Sequence, residues 1–206
     1  MSRAAAVEAI YQRLAPVYDL IYGLTLQHGR RHAIERLAPR RAERILEVGV
    51  GTGLSAVHYP DDCRVAAIDL SASMIERART RLINRAIQHV QLCRMDAAHL
   101  AFPDGCFDAV YGPYVINVVP DPVRVAREMA RVCRPGGRIV LLNHFQDGER
   151  ESPVLERLLG RVAERVGGAN WQLDLRSFLK EAGLTPRLIE HVNVPRLSSV
   201  VVCHPG

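Results

Sequence analysis

The sequence predicts an α/β fold: a doubly wound, mostly parallel sheet of seven strands with an antiparallel C-terminal edge and an N-terminal helical lid. From residue 44 onward, short β-branched runs alternate with amphipathic helical patterns, an order typical of such a sheet. The 206 residues, 48% hydrophobic and 24% charged, suit one globular domain. The core strands do not require the first 40 residues. We therefore expect residues 1–40 to form a helix and lid within the domain formed by residues 41–206.

The elements follow from hydrophobic spacing, taken in chain order. Residues 4–14 form an amphipathic helix, and a second N-terminal helix ends near Leu37. Strands are predicted at 44–48, 64–68, 89–93, 107–111 and 138–143, with a late hairpin or edge at 187–192 and 197–203. Helices are predicted at 73–87, at 122–134 (stopped by Pro135, Gly136 and Gly137), at 153–166 and at 175–182.

The net charge and the cysteine spacing indicate which partners and which kinds of site the chain can have. The formal net charge of +5 favours an anionic partner, although the acidic residues are interspersed and no basic run typical of nucleic-acid binding is present. Five cysteines without C-x-x-C spacing argue against a disulfide framework or a zinc site. The N-terminus does not resemble a secretory signal, and no apolar run is long enough to span a membrane. We expect a cytoplasmic protein with no metal and no nucleic-acid partner.

A glycine motif follows the first predicted strand. Glycines at 49, 51 and 53 allow a sharp turn and a close approach of backbone to ligand. The dinucleotide-binding pattern G-x-G-x-x-G would place its third glycine at position 54, which is Leu54. The spacing therefore counts against a nicotinamide cofactor.

Two acidic residues close the next two strands. Asp69 ends the second strand and can accept both hydroxyls of a ribose, and Asp96 with Ala97 ends the third and can contact an adenine amino group. Because open α/β sheets bind ligands at the carboxyl ends of their strands, the three strand ends predict one nucleoside-binding crevice.

Residues 45–145 resemble the class I S-adenosylmethionine-dependent methyltransferases, which have a Rossmann-like fold. The resemblance depends on the segments E-V-G-x-G-T-G, a strand-ending Asp, D-A, F-D-x-V and R-P-G-G. The resemblance implies S-adenosyl-L-methionine as cofactor. It places Glu47 at the cofactor amino group, and segment 111–117 on the methyl-transfer side. The implied cofactor-binding residues are Glu47, Gly49, Gly51, Thr52, Gly53, Asp69, Leu70, Met74, Asp96 and Ala97.

Segments 18–23, 28–31 and 111–122 resemble small bacterial phospholipid N-methyltransferases. That resemblance implies conversion of phosphatidylethanolamine, through its mono- and dimethyl forms, towards phosphatidylcholine, with anionic lipids as partners. It also implies peripheral association with the inner face of the membrane. We expect Arg30 or Arg31 to hold the substrate phosphate. Candidate catalytic residues are Tyr18, Tyr22, Tyr114 and His144, and candidate substrate-binding residues are Arg30, Arg31, Asn117 and Asn143.

The expected chemistry needs positioning more than a nucleophile. Methyl transfer from a sulfonium is an in-line displacement. Only about a thousandth of a primary amine with a lysine-like pKa is neutral at pH 7, so the site must relay a proton, which tyrosine and neutral histidine can do.

Alternatives remain open at this point. Each candidate residue also has a purely structural interpretation. The tyrosines are also consistent with packing, and His144 with a hydrogen-bonded residue that has no catalytic role. Asn143 is also consistent with a cap at the strand end, and helix 4–14 with a helix packed on the domain. Two other functions also remain: a quinone-precursor C-methyltransferase and a non-catalytic cofactor-binding or RNA-associated protein. The oligomeric state is open.

Overall fold

The computed structural model describes residues 26–145, 173–193 and 198–205. The predicted helices at 4–14 and 153–166, and the candidates Tyr18 and Tyr22, lie outside these residues. The described helices are α1 (Gln27–Leu37), α2 (Ala72–Asn84), α3 (Pro122–Val132) and α4 (Leu175–Ala182). The described strands are β1 (Arg44–Val48), β2 (Arg64–Asp69), β3 (Val90–Arg94), β4 (Phe107–Pro113), β5 (Cys133–Asn143), β6 (Leu184–Val192) and β7 (Ser198–Pro205).

The seven strands form one sheet in the order β3-β2-β1-β4-β5-β7-β6. Strands β1 to β5 are parallel, and β7 runs antiparallel to both β5 and β6. This confirms the predicted doubly wound sheet with an antiparallel C-terminal edge. The strand order reverses between β1 and β4, so a crevice opens at their carboxyl ends, where open α/β sheets bind ligands.

Two hydrophobic clusters cover the two faces of the sheet. Leu46 and Val48 of β1 face the cluster that includes residues of α3 and α4. Ile45 of the same strand faces the other cluster, which includes residues of α1 and α2. Four of the five β1 residues are buried, as expected for a central strand of a parallel sheet that is covered on both faces. The strand is therefore a fixed support for the residues that follow it.

Side-chain caps define the helix starts. Ser71 accepts a hydrogen bond from the Met74 N–H at the start of α2, and Asp121 accepts one from the Arg124 N–H at the start of α3. Asp174 caps α4 in the same way, and Gly183 ends α4 in the left-handed conformation. These are the residue types that satisfy otherwise unpaired helix termini.

The boundary between α3 and β5 differs from the prediction. The helix ends at Val132, and β5 begins at Cys133, so the Pro-Gly-Gly segment predicted to stop the helix belongs to the strand. Cys133 pairs with Phe107 before a register shift in the β4–β5 ladder. A Cβ at Gly137 would lie 2.7 Å from the Cys133 Sγ and 2.9 Å from the Asp108 carbonyl oxygen. Only glycine fits this irregular pairing.

Charged side chains connect helix α1 to the sheet, some of them buried and some exposed. The Arg138 guanidinium on β5 binds Glu43 and the carbonyl groups of Leu37 and Ala38 at the end of α1. At the C-terminal edge of the sheet, Glu190 of β6 accepts hydrogen bonds from Arg36 of α1. These contacts fix α1 over the sheet, and α1 carries Arg30 towards the crevice.

Candidate active site

Glu47 stands at the carboxyl end of β1 and is fully buried. Its backbone is level with Tyr111 on the neighbouring strand β4. Within the described part of the chain, neither carboxylate oxygen of Glu47 has a hydrogen-bond partner, and the buried hydroxyl groups of Tyr59 and Tyr111 also lack one. Buried polar groups without partners cost free energy, and they concentrate at sites that receive a ligand.

Burial raises the pKa of Glu47 to about 8. The nearby Tyr59 hydroxyl, the Arg30 charge and Ser55 favour the ionised carboxylate but offset only part of this rise. In the ligand-free protein, Glu47 is therefore mostly neutral at pH 7. A cationic group placed beside it would favour the ionised form.

The glycine loop after β1 turns through three residues with positive φ, at positions 49, 51 and 53. The N–H groups of Gly49 and Val50 both donate to the Ile68 carbonyl, which holds the loop against β2. A Cβ at Gly51 would meet no described atom within 4 Å, so the backbone there borders open space. The hydrogen bonds to Ile68 therefore fix the start of the loop to β2, and the backbone at Gly51 remains accessible to a ligand.

Asp69 ends β2 beside this loop and is half-buried. Its two carboxylate oxygens accept hydrogen bonds from the N–H groups of Gly51, at 2.8 Å, and Ser71, at 2.9 Å. A carboxylate has about four lone-pair positions, so it can accept more than two hydrogen bonds. The two backbone bonds orient the carboxylate beside the glycine loop, and a carboxylate in this orientation is suited to the hydroxyl groups of a ribose.

The residues predicted around adenine follow β2 and β3. Leu70 is 48% exposed, whereas Met74 is buried in the first turn of α2. The Met95 N–H donates to the Asp69 carbonyl, which joins the ends of the two strands. Asp96 is exposed and accepts a hydrogen bond from the Ala98 N–H, and Ala97 is half-buried. The exposed Leu70 side chain after β2 and the Asp96 carboxylate after the neighbouring strand β3 suit adenine, which has apolar faces and a polar edge.

The opposite side of the crevice lies after β4 and β5. Tyr114 follows β4 with a φ of 57° and is largely buried, and His144 follows β5 and is also buried. The two ring centroids are 5.4 Å apart. The Arg30 guanidinium carbon lies 5.0 Å from the centre of the Tyr114 ring, and Arg30 is only 6% exposed. The structure thus brings together three of the residues predicted for the methyl acceptor.

The remaining substrate candidates take different positions. The Asn117 side chain exchanges two hydrogen bonds with the main chain of His144, at 2.8 and 3.0 Å. Asn143 accepts a hydrogen bond from the Ile116 N–H and donates one to the Gly112 carbonyl. Both amides therefore fix the loop after β4 against the end of β5. Arg31 is exposed on α1.

Three side chains at this site were not among the predicted site residues. Tyr59 lies near Glu47, Asn193 at the end of β6 contacts Tyr114, and Ser198 at the start of β7 contacts His144. Asparagine and serine often end strands, but the sequence alone does not indicate that these two residues lie at the crevice.

The described residues fit S-adenosyl-L-methionine. The unpartnered Glu47 carboxylate can accept hydrogen bonds from the cofactor amino group. The open space before Gly51 admits the chain that joins this amino group to the ribose, and Asp69 can take the ribose hydroxyls. Thr52 and Gly53 of the loop are buried, and a Cβ at Gly53 would approach Ala78 of α2 at 3.2 Å. The loop therefore packs closely against α2 at Gly53.

Comparisons with known proteins agree with this geometry. Residues 46–141 match a family model described as a methyltransferase domain. The chain is 39% identical over 184 residues to the phosphatidylethanolamine N-methyltransferase of Cereibacter sphaeroides, covering 89% of this chain and 87% of that protein. It is 28% identical over 239 residues to the ubiquinone/menaquinone biosynthesis C-methyltransferase UbiE of Enterobacter sp. (strain 638), covering 99% and 91%.

Among solved structures, the geranyl diphosphate C-methyltransferase of Streptomyces coelicolor A3(2) matches with a TM-score of 0.74 at 16% identity, over 86% of this chain and 77% of that one. At that identity the likeness concerns the fold. Together with the sequence relatives and the site geometry, it leads to one conclusion: the chain belongs to the class I S-adenosylmethionine-dependent methyltransferases and uses S-adenosyl-L-methionine as its cofactor.

Proposed function

We propose that this methyltransferase acts on the amine of phosphatidylethanolamine and its mono- and dimethyl forms at a membrane surface. The observation that carries the proposal is the buried Arg30 guanidinium packed on Tyr114 with His144 beside it. A phosphoethanolamine headgroup presents an anionic phosphate a few bonds from the amine to be methylated. The described side of the crevice opposite the cofactor residues supplies a buried cation, a hydroxyl group and an imidazole.

Arginine suits a phosphate better than it suits a neutral aromatic substrate. Its planar guanidinium can donate two parallel hydrogen bonds to phosphate oxygens, a geometry that matches phosphate better than a point charge does. Arg30 is carried by α1, which the Glu43–Arg138 and Glu190–Arg36 contacts fix to the sheet. The guanidinium is thus positioned before a substrate arrives, and less entropy is lost on binding.

The catalytic step needs a neutral amine facing the cofactor. The cofactor supplies an electrophilic methyl group on its sulfonium. The protein orients the headgroup through Arg30, excludes water with the buried loop after β4, and uses hydroxyl and imidazole groups to favour the neutral amine. Tyr18 and Tyr22 remain proposed contributors from outside the described residues.

The membrane part of the proposal rests on the first 40 residues and on charge. In the described part of the chain, none of the helices has the length and apolar character that crossing a bilayer requires. The proposed attachment is peripheral: residues 4–14 lie in the interface, and arginine side chains attract anionic headgroups by roughly 1 kcal/mol each.

The test is expression in a host that makes phosphatidylethanolamine but no phosphatidylcholine, followed by lipid extraction and headgroup analysis. Mono-, di- and trimethylated headgroups are expected with the intact chain, and none with Glu47→Ala, which should lose the cofactor. In purified protein, Arg30→Lys should raise the KM for the lipid at unchanged cofactor affinity. The control Arg79→Lys, at an exposed arginine of α2 outside the site, should leave that KM unchanged. Unmethylated lipid from a folded, cofactor-binding protein would overturn the proposal.

A quinone-precursor C-methyltransferase is the second candidate. It is favoured by the similarity to the Enterobacter UbiE protein over nearly the whole chain. Such an activity would methylate a ring carbon next to a phenol and would not depend on anionic lipid. Assaying the same purified protein with a quinone precursor separates the two candidates, because only this second activity would survive Arg30→Lys without a change in KM.

A further inference from the structure

Helix α1 receives its N-terminal cap from a distant part of the chain. The residue before each of α2, α3 and α4 accepts, through its side chain, a hydrogen bond from the third N–H of its own helix, whereas Leu26 before α1 makes no such bond. The corresponding donor in α1 is the Gly29 N–H. It donates at 2.9 Å to the Oδ1 of Asn193, which directly follows β6 and lies 164 residues further along the chain. Asn193 therefore supplies the cap that α1 lacks locally.

Two locally unfavourable residues permit this contact. A Cβ at position 29 would lie 2.7 Å from the Asn193 Nδ2 and 2.9 Å from its Oδ1, closer than a real Cβ approaches, so the helix has glycine there. Glycine is among the least favourable residues inside a helix. Asn193 is only 8% exposed and has a φ of 66°, a conformation that asparagine adopts more readily than most residues. Both departures from local preference serve the same hydrogen bond.

The same amide also holds Tyr114. Because a backbone N–H can only donate, the oxygen of the Asn193 amide faces Gly29, and its Nδ2 faces the Tyr114 hydroxyl oxygen at 3.0 Å and the Ser198 Oγ at 3.1 Å. The backbone of Tyr114 is fixed separately, since its N–H donates to the Leu142 carbonyl near the end of β5. One buried side chain thus joins the first turn of α1 to a residue that is anchored on the sheet.

The joined elements carry Arg30. This arginine follows Gly29 directly, is 6% exposed, and its guanidinium carbon lies 5.0 Å from the centre of the Tyr114 ring. Charged contacts at Arg36 and Leu37 connect the C-terminal half of α1 to the sheet. The Asn193 amide joins the other end of the helix to Tyr114, so a shift of the first turn would separate Arg30 from the ring.

We propose that Asn193 is a positioning residue: its amide caps α1 at Gly29, binds the Tyr114 hydroxyl, and in this way holds Arg30 over the Tyr114 ring. The effect on the methyl acceptor rests on the proposed function, in which Arg30 binds the phosphate. The position of Arg30 itself does not depend on that function.

Two substitutions and their combination test the contact. Asn193→Gly removes the amide and adopts the positive φ without strain. Gly29→Ala favours the helix but places a methyl group where the amide lies. In the double variant the amide is absent, and the three atoms nearest to that methyl group all belong to Asn193. Gly29→Ala should therefore displace Arg30 in the wild-type background and have no further effect in the Asn193→Gly background, a non-additivity expected of residues in contact.

The first measurement is NMR of the full chain without lipid, with the Arg30 signals assigned by Arg30→Lys. In wild type, the ring current of Tyr114 should shift the Arg30 side-chain signals upfield. Each single variant should move them towards the positions of exposed arginines, and Asn193→Gly should accelerate solvent exchange of the Gly29 amide at least tenfold. The control Asp174→Ala, which removes the equivalent cap of α4, should change neither signal.

The second measurement is steady-state kinetics with phosphatidylethanolamine vesicles. We expect Asn193→Gly and Gly29→Ala each to raise the KM for the lipid about tenfold at unchanged affinity for S-adenosyl-L-methionine, because Arg30 is no longer held in place before binding. Asp174→Ala should match wild type. Arg30 signals that do not respond to Asn193→Gly, or additive effects of the two substitutions, would overturn the inference. The NMR measurement requires no lipid substrate, so it separates failure of this inference from failure of the proposed function.

Discussion

Replacing Glu47 with glutamine should remove a pH dependence of stability from the cofactor-free protein. In the folded chain, burial raises the pKa of Glu47 to about 8, against an ordinary value of 4.5. Between these two values the folded state keeps a proton that the unfolded state has lost. The unfolded state then binds fewer protons, so the free energy of unfolding falls as the pH rises through this window.

The magnitude follows from the width of that window. Each pH unit inside it lowers the free energy of unfolding by up to about 1.4 kcal/mol. From about pH 5 to about pH 7, wild type should therefore lose roughly 2–3 kcal/mol relative to Glu47→Gln. The difference should be constant below about pH 4.5, where both states are protonated, and again above about pH 8.

Urea unfolding followed by circular dichroism measures this difference across the pH series. Other titrating groups, the histidines included, contribute equally to both proteins and cancel. A glutamine that packs poorly adds a constant offset, not a slope. Parallel stability curves for the two proteins between about pH 5 and about pH 8 would refute the reasoning that Glu47 is buried and neutral.

Three further predictions follow from the site. Gly51→Ala places a methyl group at positive φ in the open space proposed for the cofactor, so we expect cofactor affinity measured by calorimetry to fall at least tenfold. Gly183→Ala, equally open and at positive φ, should lower only the free energy of unfolding, by about 1–2 kcal/mol. Equal cofactor affinities of the two variants would contradict this prediction. Phenylalanine at Tyr18, Tyr22 or Tyr114 should lower turnover roughly tenfold in at least one variant, about 1.4 kcal/mol of barrier, and three unchanged rates would indicate packing roles. Deleting residues 2–14 should weaken flotation with phosphatidylglycerol vesicles, as should added salt; undiminished, salt-independent flotation would place the anchor elsewhere.

The sequence predicted the parallel part of the sheet because that part depends on local patterns, and the proposed cofactor residues depend on the same kind of pattern. The strand, glycine turn and helix around Gly51 lie within one short segment, and Asp69 follows the next strand at the same edge. The spacing of such a segment indicates a nucleoside-binding crevice, and the resemblance to the methyltransferase family identifies the cofactor. The structure then adds what spacing does not contain, namely that Gly51 and Ser71 orient the Asp69 carboxylate through their N–H groups.

The acceptor side depends on long-range pairing and was less predictable. Asn193 contacts Gly29 across more than half of the chain, and β7 lies between β5 and β6, with Ser199 paired to Asn143 at the end of β5. A late antiparallel edge was predicted, but sequence spacing does not reveal which strand lies inside. The extra length of β5 was missed for a similar reason: Pro135 and Gly136 indicate a helix stop locally, whereas pairing with β4 makes them part of a strand.

The central claim, methylation of a phospholipid amine, is tested most directly with purified protein, S-adenosyl-L-methionine carrying a labelled methyl group, and vesicles of phosphatidylethanolamine mixed with phosphatidylglycerol. Mass spectrometry of the extracted lipids should show the label on the headgroup nitrogen of mono- and dimethylated products, in amounts that fall when phosphatidylglycerol is omitted. Labelled cofactor that binds the protein with no label in any phosphatidylethanolamine headgroup would contradict the claim.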